Sequence, residues 1–461
     1  MLKLSSNSEK FRMKKVLFSL SVFSAAVLSA QEQWTLQQAV DYAVAHNLQI
    51  VSSEYNRKIQ ENVLQIAKRE YLPGVSGNIN NTASFGQGRD VFGVTQRNDN
   101  FSNSANIGAD ILVFNNGRLE KNIRKTEFDL QATTYDLERI KNDISLQVAQ
   151  QYLQILLNKE IEKISASAVE NARKQYDRAK ITTEVGTTPQ TILAEAEAAL
   201  ARENQNLKTA EINTDRSLFA LAQLLQLEDY KNFDVVDVPV SQRPEAPLQS
   251  ADMIIETAYQ SQPQIKAAEY RIKSAEAQTE ITKTAFWPTV TAGAGLGSSY
   301  FNSLVTDYAG RDINGQMIRE SGFFKQYKDN FGQQLSLSAN IPIFNKGITR
   351  LQVEQSKINE EIAKNNLALQ KQEVLQNVQK AQFDAESNYE VFLAAEQAAE
   401  SSRLALDFAE KSYAAGRSTI YDVNVARNNY ANAQGSVAQA KYNYLFSLKL
   451  LNFYAGIPIT L

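Results

Sequence analysis

The 461 residues include no Cys and a single His, His46. Without Cys there is no disulfide, no thiolate nucleophile and no Cys-based zinc or iron–sulfur site. One imidazole supports neither a multi-histidine metal site nor much imidazole chemistry. Glycine (19) and proline (9) stand at about 4% and 2% of the chain, below the usual shares of about 7% and 5%. A chain so short of breakers runs in long uninterrupted elements, and helix is expected to dominate. Charge is nearly balanced, 48 Lys+Arg against 51 Asp+Glu, which argues against a nucleic-acid partner. No catalytic residue, cofactor or metal is expected, although carboxylate and Lys chemistry stay open on composition alone.

Residues 1–30 read as a signal peptide. Lys14 and Lys15 form a basic start, Val16 to Leu28 is an apolar run, and Ser29-Ala30 supplies a cleavage end. Met13 would serve as the initiator. The run is too short for an ordinary transmembrane helix, and no Cys follows it to carry a lipid anchor. The segment holds Lys3, Lys10, Arg12, Lys14 and Lys15 against Glu9 alone, so the exported remainder is more acidic than the whole.

The rest of the chain is written twice. A shift of 215 residues lays Ala43, Gln49-Ile50, Glu54-Tyr55 and Pro73 on Ala258, Gln264-Ile265, Glu269-Tyr270 and Pro288. Beyond residue 100 the shift becomes 230, which places Phe114-Asn115, Gly117, Gly186 and Leu221 on Phe344-Asn345, Gly347, Gly416 and Leu451. The second half therefore carries fifteen extra residues between Pro288 and Asn340, in a loop that grew.

Each half, 31–226 and 250–461, reads helix, helix, strand, strand, very long helix, long helix. Thr35 and Gln38 make a capping box before the periodic stretch Leu36 to Val44, and a second helix runs from about Leu48 to Tyr71. Long helices are expected over 118–183, 189–226, 348–415 and 419–455. Ile123, Leu130, Leu137 and Ile144 recur every seven residues in the first of these, a coiled-coil-like seam. At 1.5 Å per residue it would extend roughly 100 Å. Residues 227–249, with Pro239, Pro244 and Pro247, read as an irregular connector.

Four stretches, about 75–86, 101–114, 289–301 and 331–344, alternate with period two. Val75, Gly77, Ile79, Ala83 and Phe85 oppose Ser76, Asn78, Asn80, Thr82 and Ser84, with Asn81 an exception on the apolar side. Phe101, Ala105, Ile107, Ala109, Ile111 and Val113 oppose Ser102, Ser104, Asn106 and Asp110. Val290, Ala292, Ala294, Leu296 and Tyr300 oppose Thr289, Thr291 and Ser299, and Leu335, Leu337, Ala339, Ile341 and Ile343 oppose Gln334, Ser336, Ser338 and Asn340. A soluble antiparallel sheet lying on a core gives the same pattern and is the commoner cause. The export signal and the length, near the 9–11 residues of a bilayer strand, favour a membrane. Four strands cannot close a barrel, so a spanning sheet requires further copies.

Several motifs carry a family resemblance. They are Thr35-Leu36-Gln37-Gln38-Ala39, Leu72-Pro73 and Trp287-Pro288, Phe114-Asn115-Asn116-Gly117, Ile341-Pro342-Ile343-Phe344-Asn345-Lys346-Gly347, and Ala415-Gly416-Arg417-Ser418-Thr419-Ile420-Tyr421-Asp422-Val423. In this order, and duplicated, the chain resembles the TolC-type outer-membrane efflux channels (outer membrane factors) over nearly all of its mature length.

The resemblance implies a mainly α protein with a small transmembrane β part, a long α-helical coiled-coil tunnel, and four antiparallel strands per protomer completing a trimeric 12-stranded barrel. It implies a homotrimer in the outer membrane, in contact with lipid and extending into the periplasm. A periplasmic adaptor would join it to an inner-membrane pump, in a tripartite efflux or type I secretion system. Gly186 and Thr187, and Gly416, Arg417 and Ser418, fall on the turns that receive the adaptor. Asp422 falls where the family lines its periplasmic gate with carboxylates. One helical turn later the best-known member has a second acidic ring, where this chain has Val425.

Blander readings stand beside these. Each Gly serves equally as a helix C-cap, and Asp422 as an N-terminal helical carboxylate. His46 reads as a surface or capping residue. Tyr71 and Trp287 fit either an interfacial aromatic belt or packing at a bend. Glu195, Glu197 and Glu203 read as a solvated face. Two functions rival a passive conduit: a soluble periplasmic coiled-coil scaffold without a pore, and a carboxylate hydrolase.

Overall fold

The structure is a computed structural model, and it describes residues 32–89, 95–228, 230–237, 251–304, 308–311, 317–319 and 321–457. The expected signal peptide and much of the connector lie outside the described residues. The elements are β1 (Glu32–Trp34), α1 (Leu36–His46), α2 (Leu48–Arg69), β2 (Gly74–Ser84), β3 (Gln87–Arg89), β4 (Thr95–Arg97), β5 (Asn100–Phe114), α3 (Arg118–Glu184) and α4 (Gln190–Leu225). They continue with β6 (Phe233–Val235), α5 (Ala251–Ser261), α6 (Pro263–Lys283), a single 3₁₀ turn, β7 (Thr289–Ser303), β8 (Tyr308–Arg311), β9 (Met317–Arg319), α7 (Phe323–Asp329), β10 (Gly332–Asn340), α8 (Ile348–Ala414) and α9 (Ile420–Tyr454). Helices α3 and α8 each contain 67 residues. The chain divides into two compact units, one within Met1–Tyr55, Asp136–Ile265 and Gln370–Leu461, the other within Asn56–Tyr135 and Lys266–Leu369.

The first unit holds the main apolar core, gathered around the middle of α3. Val148, Ala149, Tyr152, Leu153, Ile155, Leu156 and Leu157 are buried there, against Leu36, Ala39 and Ala43 of α1, Leu221 and Leu225 of α4, and Tyr442 and Leu445 of α9. Leu137 and Ile144 of the expected seam belong to it. Helix α8 shows the same seven-residue step at Val374, Val378, Ala381, Ala385 and Phe392, all buried. The capping box of α1 is present: Gln38 N–H donates to Thr35 Oγ1 at 3.3 Å and Thr35 N–H to Gln38 Oε1 at 2.8 Å.

The connector is not wholly irregular. Its β6 pairs in parallel with β1, Trp34 opposite Val235, and buries Phe233 and Val235 in the core. Three residues of alternation are too few to stand out in the sequence. Two side chains of α3 hold this ribbon. Tyr152 hydroxyl lies 3.1 Å from the Trp34 carbonyl and 3.0 Å from that of Val236, and Lys159 ammonium donates to Asp234 Oδ1 at 2.6 Å and the Val235 carbonyl at 3.0 Å. Burial, and after it the Asp234 charge, pushes the Tyr152 phenol up to about 12, so it stays protonated as a donor at any physiological pH.

The second unit is built on an antiparallel four-stranded sheet in the order β10-β7-β5-β2. The segments joining β2 to β5 and β7 to β10 contain structure, a β3–β4 hairpin in the first half and β8, β9 and α7 in the second. The last strand stops at Asn340 rather than 344, because Pro342 has no N–H to continue a ladder. Ile341 and Ile343 thus leave the alternation. A bulge between Leu112 and Phe114 brings Phe114, not Val113, opposite Val290. The motifs that follow turn the chain into the long helices by the same means. Asn116-Gly117 and Lys346-Gly347 are consecutive residues at positive φ, and Arg118 and Ile348 N–H donate back to the Asn115 and Asn345 carbonyls.

Tyr152→Phe removes one buried hydrogen bond and is expected to cost about 1 kcal/mol, whereas Leu156→Ala opens a cavity in the same core and is expected to cost about 2–5 kcal/mol. Thermal unfolding followed by the helical circular dichroism signal should place the two variants in that order below the parent.

Candidate functional site

The register of the sheet puts the apolar positions of all four strands on one face. Val75, Ala109, Ala294 and Leu335 form one continuous cross-strand row, and the next row, Ser76, Gly108, Gly295 and Gln334, is its polar counterpart on the opposite face. Val75, Ile79, Leu335 and Leu337 are each more than two-thirds exposed on the apolar face. Leaving a Leu side chain in water rather than buried forgoes about 1.5–3 kcal/mol, so this face calls for a nonaqueous neighbour. On the polar face Gly297 lies opposite Asn106, and a Cβ there would collide with the Asn106 side chain. The glycines of β7 leave that surface open to amide and hydroxyl groups. Strands β2 and β10 are the two edges, and neither pairs on its outer side among the described residues.

Asn81, the polar exception on the apolar face, has partners. Asn103 Nδ2 donates to Asn81 Oδ1, and the Tyr327 hydroxyl of α7 donates to Asn103 Oδ1. Helix α7 also covers the part of β7 that outruns β10, whose pairing ends at Gly297 opposite Gly332. There the Gln326 side-chain amide pairs with the backbone of Phe301, accepting from its N–H at 3.0 Å and donating to its carbonyl at 2.8 Å. Asn330 Nδ2 donates to the Ser299 carbonyl at 2.8 Å. Side chains thus continue a ladder where the strand has ended.

The two helical turns lie in the first unit and are built alike. Gly186 (φ 77°) and Gly416 (φ 69°) take the left-handed conformation that a Cβ disfavours. Around each, two carbonyls of the ending helix are satisfied in the Schellman pattern: Thr187 N–H to Thr182 at 2.9 Å with Gly186 N–H to Thr183 at 3.0 Å, and Arg417 N–H to Ser412 at 2.9 Å with Gly416 N–H to Tyr413 at 3.0 Å. Gly186, Thr187, Gly416 and Arg417 are exposed and Ser418 is half-buried. Residues flanking both turns, among them Thr182, Thr188, Tyr413 and Ile420, line one groove of about 610 Å³.

Asp422 is the third residue of a capping box on α9. Its Oδ2 accepts from Thr419 N–H at 2.9 Å and from Thr419 Oγ1 at 2.7 Å, while Asp422 N–H donates to Thr419 Oγ1. These bonds hold the exposed carboxyl below the usual Asp range. Asp422 is therefore an ionised group with a fixed direction at the mouth of the hairpin. The sequence did not reveal this box, because Asp at the third position is a less familiar partner for Thr than Glu.

His46 is exposed, stacks on Tyr42 at 4.1 Å and lies 3.0 Å from the Tyr42 carbonyl, within its own helix. Glu195 and Glu197 are exposed and Glu203 is half-buried, accepting from Asn206. Tyr71 and Trp287 are each about half exposed at the helix-to-strand junctions.

The sequence matches the family described as Outer membrane efflux protein over residues 39–226 and 254–456. The outer membrane efflux protein BepC of Brucella suis biovar 1 (strain 1330) is 23% identical over 444 residues, covering 95% of this chain and 90% of BepC. The outer membrane protein TolC of Escherichia coli (strain K12) is 25% identical over 445 residues, 94% of this chain and 84% of TolC. Among solved structures, CusC superposes with a TM-score of 0.74 at 16% identity, over 92% of each chain, which is a likeness of fold. The chain belongs to the TolC-type family of outer membrane efflux proteins, and its place is the outer membrane.

The turn chemistry gives a testable expectation. Thr419→Ala should cost about 1 kcal/mol of local stability, and Gly416→Ala about 1–2 kcal/mol for the forced left-handed residue. Because the Asp422 pKa is lowered on folding, its contribution is present above the unfolded carboxylate value and is lost as pH falls through the lower folded one. Hydrogen-exchange protection over residues 411–424 should fall in both variants, and lowering the pH should reduce the protection factors of the parent more than those of Thr419→Ala once the intrinsic pH dependence of exchange is divided out.

Proposed function

We propose that the chain is the outer-membrane channel component of a tripartite efflux or type I secretion system and works as a homotrimer. Three four-stranded sheets, joined β2 to β10 between neighbours, would close one 12-stranded barrel. The polar face then lines water and the apolar face meets lipid. The long helices of two similar halves would continue the barrel as a periplasmic tunnel. Cargo passes through without bond chemistry, and the energy is spent by a pump in the inner membrane.

The observation that carries this reading is the sheet: a continuous exposed apolar face, a polar reverse, and two open edges. An open edge in hydrocarbon costs several kcal/mol for each unsatisfied backbone group. In a closed barrel each edge meets its complement. The Gly186–Thr187 and Gly416–Arg417–Ser418 turns would receive the adaptor, since each presents exposed backbone and small side chains beside the shared groove. Asp422 would supply one carboxylate per protomer to the periplasmic gate, where three such charges attract cations.

The test is charge placed on each face. Ile79→Arg and Leu337→Arg should each cost about 2–4 kcal/mol at mid-membrane and deplete the trimer extracted by detergent from outer membranes, together with dye efflux in cells lacking their own channel. Ser338→Arg, on the polar face, should leave the trimer assembled. Normal insertion of both apolar-face variants, or release of the parent from washed membranes without detergent, would favour the soluble scaffold and end the proposal.

A further inference from the structure

Helix α7 is the part of the second half that the first half lacks, and it sits on the apolar side of the sheet. The Tyr327 hydroxyl donates to Asn103, and Ser298 Oγ donates to the Tyr327 carbonyl at 2.6 Å. Asn103 pairs with Tyr300, and Ser298 with Ala105, in the rows next to Ile107 and Leu296. Phe323 packs on Tyr300 at 5.0 Å and stacks on Tyr327 at 4.5 Å. These contacts use one side of the helix. The other side presents Phe324, 86% exposed, with Lys325 and Lys328 exposed near it and Asp329 the one acid in the seven residues. Among the described residues the Phe324 ring makes an edge contact with Phe323, and neither lysine makes an ion pair.

The helix also has a defined end of the sheet. Helices α2 and α6 lead into the starts of β2 and β7, and α3 and α8 follow the ends of β5 and β10, while α7 bonds to Ser298, Ser299 and Phe301 toward the opposite end. On the channel reading, on which this inference rests, that is the external rim of the barrel, at the level of the outer-leaflet headgroups. An aromatic ring flanked by lysines, held rigidly on the lipid side at that depth, matches the chemistry of an interfacial anchor.

We infer that α7 is a lipid-binding clamp: Phe324 enters the acyl boundary and Lys325 and Lys328 bind the phosphates of an anionic lipid surface. The Tyr327, Ser298 and Gln326 contacts fix the helix on the strand, so lipid meets a preformed site.

The absence of Cys makes the test direct. Single variants Phe324→Cys and Leu335→Cys of the full chain carry a nitroxide in phosphatidylcholine vesicles, with and without phosphatidylglycerol. Collision with oxygen reports hydrocarbon, and collision with a nickel chelate reports water. Both labels are expected to favour oxygen. Phosphatidylglycerol should deepen the label at 324 and leave that at 335 unchanged, and Lys325→Gln with Lys328→Gln should abolish that deepening, since two lysines near an anionic surface favour the bound state roughly thirtyfold. A label at 324 that favours the nickel chelate, or that neither reagent reaches because protein covers it, overturns the inference when the label at 335 still favours oxygen. A deepening that survives both Lys substitutions overturns the role of the lysines. If the label at 335 itself favours the nickel chelate, the membrane-spanning reading fails and the clamp fails with it.

Discussion

A sheet has two edges, and each carries a row of backbone donors and acceptors that must be satisfied by something. In water they find solvent; in hydrocarbon they find nothing. Here the edges are β2 and β10, one from each half of the chain, on a sheet whose one face is aliphatic and exposed. Folding the single chain cannot remove both edges, because four strands at ordinary twist do not close. On the proposed channel reading the protomer is therefore incomplete by its own hydrogen-bond count, and further copies of the chain would complete it. The rest of the sheet is consistent in itself: rows of matched register, small residues on the polar face, and bulky ones on the other.

The helical part solves a different problem. A helix of 67 residues has only two ends, so nearly all of its backbone is satisfied internally, and its stability then rests on burying one stripe. The burial is uneven. It concentrates between Val148 and Leu157, where α1, α4, α9 and the short β1–β6 ribbon surround α3, and it thins toward the Gly186 and Gly416 turns, where few residues are buried. Elements with few buried contacts open most readily. The middle of the first unit is thus firmly packed and its turns lightly packed, and the capping box at Asp422 fixes the first turn of α9 where little else is buried around it.

Much of this was legible in the residues because it depends on local rules. Period-two alternation, Pro73 and Pro288 as stops, the Thr35–Gln38 box and the Gly turns each reflect the behaviour of a few consecutive residues, and the structure has strands, helix ends, cap and turns at those places, the end of β10 excepted. What escaped was set by distant partners or by single atoms. The ribbon strand Phe233–Val235 exists because β1 lies beside it two hundred residues away in sequence. The end of β10 follows from the missing N–H of Pro342, a local cue that the aliphatic run Ile341 to Ile343 masked. The Asp422 box needed a geometry that spacing alone does not prescribe. The register, which decides whether four separately alternating strands share one greasy face, could not be read from any strand by itself.

The two halves differ most where the second gained residues, and the difference explains an oddity in the first. Asn81 and Asn103 interrupt the apolar face on β2 and β5 and bond each other, yet the partner of Asn103 Oδ1, Tyr327, lies in the enlarged loop after β7. A buried or lipid-facing amide without a partner would be costly; supplied with one, it becomes a fixed point. The loop of one half thus completes a polar chain that begins in the other, running across β2, β5 and α7. That chain ties the outer ends of three strands together at the level where β10 no longer reaches. Gln326 supplies β7 with side-chain bonds in place of the missing strand. Short pairing on one strand, two amides on an apolar face and an added seven-residue helix therefore meet at one end of the sheet, and removing the helix would leave Asn103 Oδ1 and the Phe301 backbone without these side-chain partners.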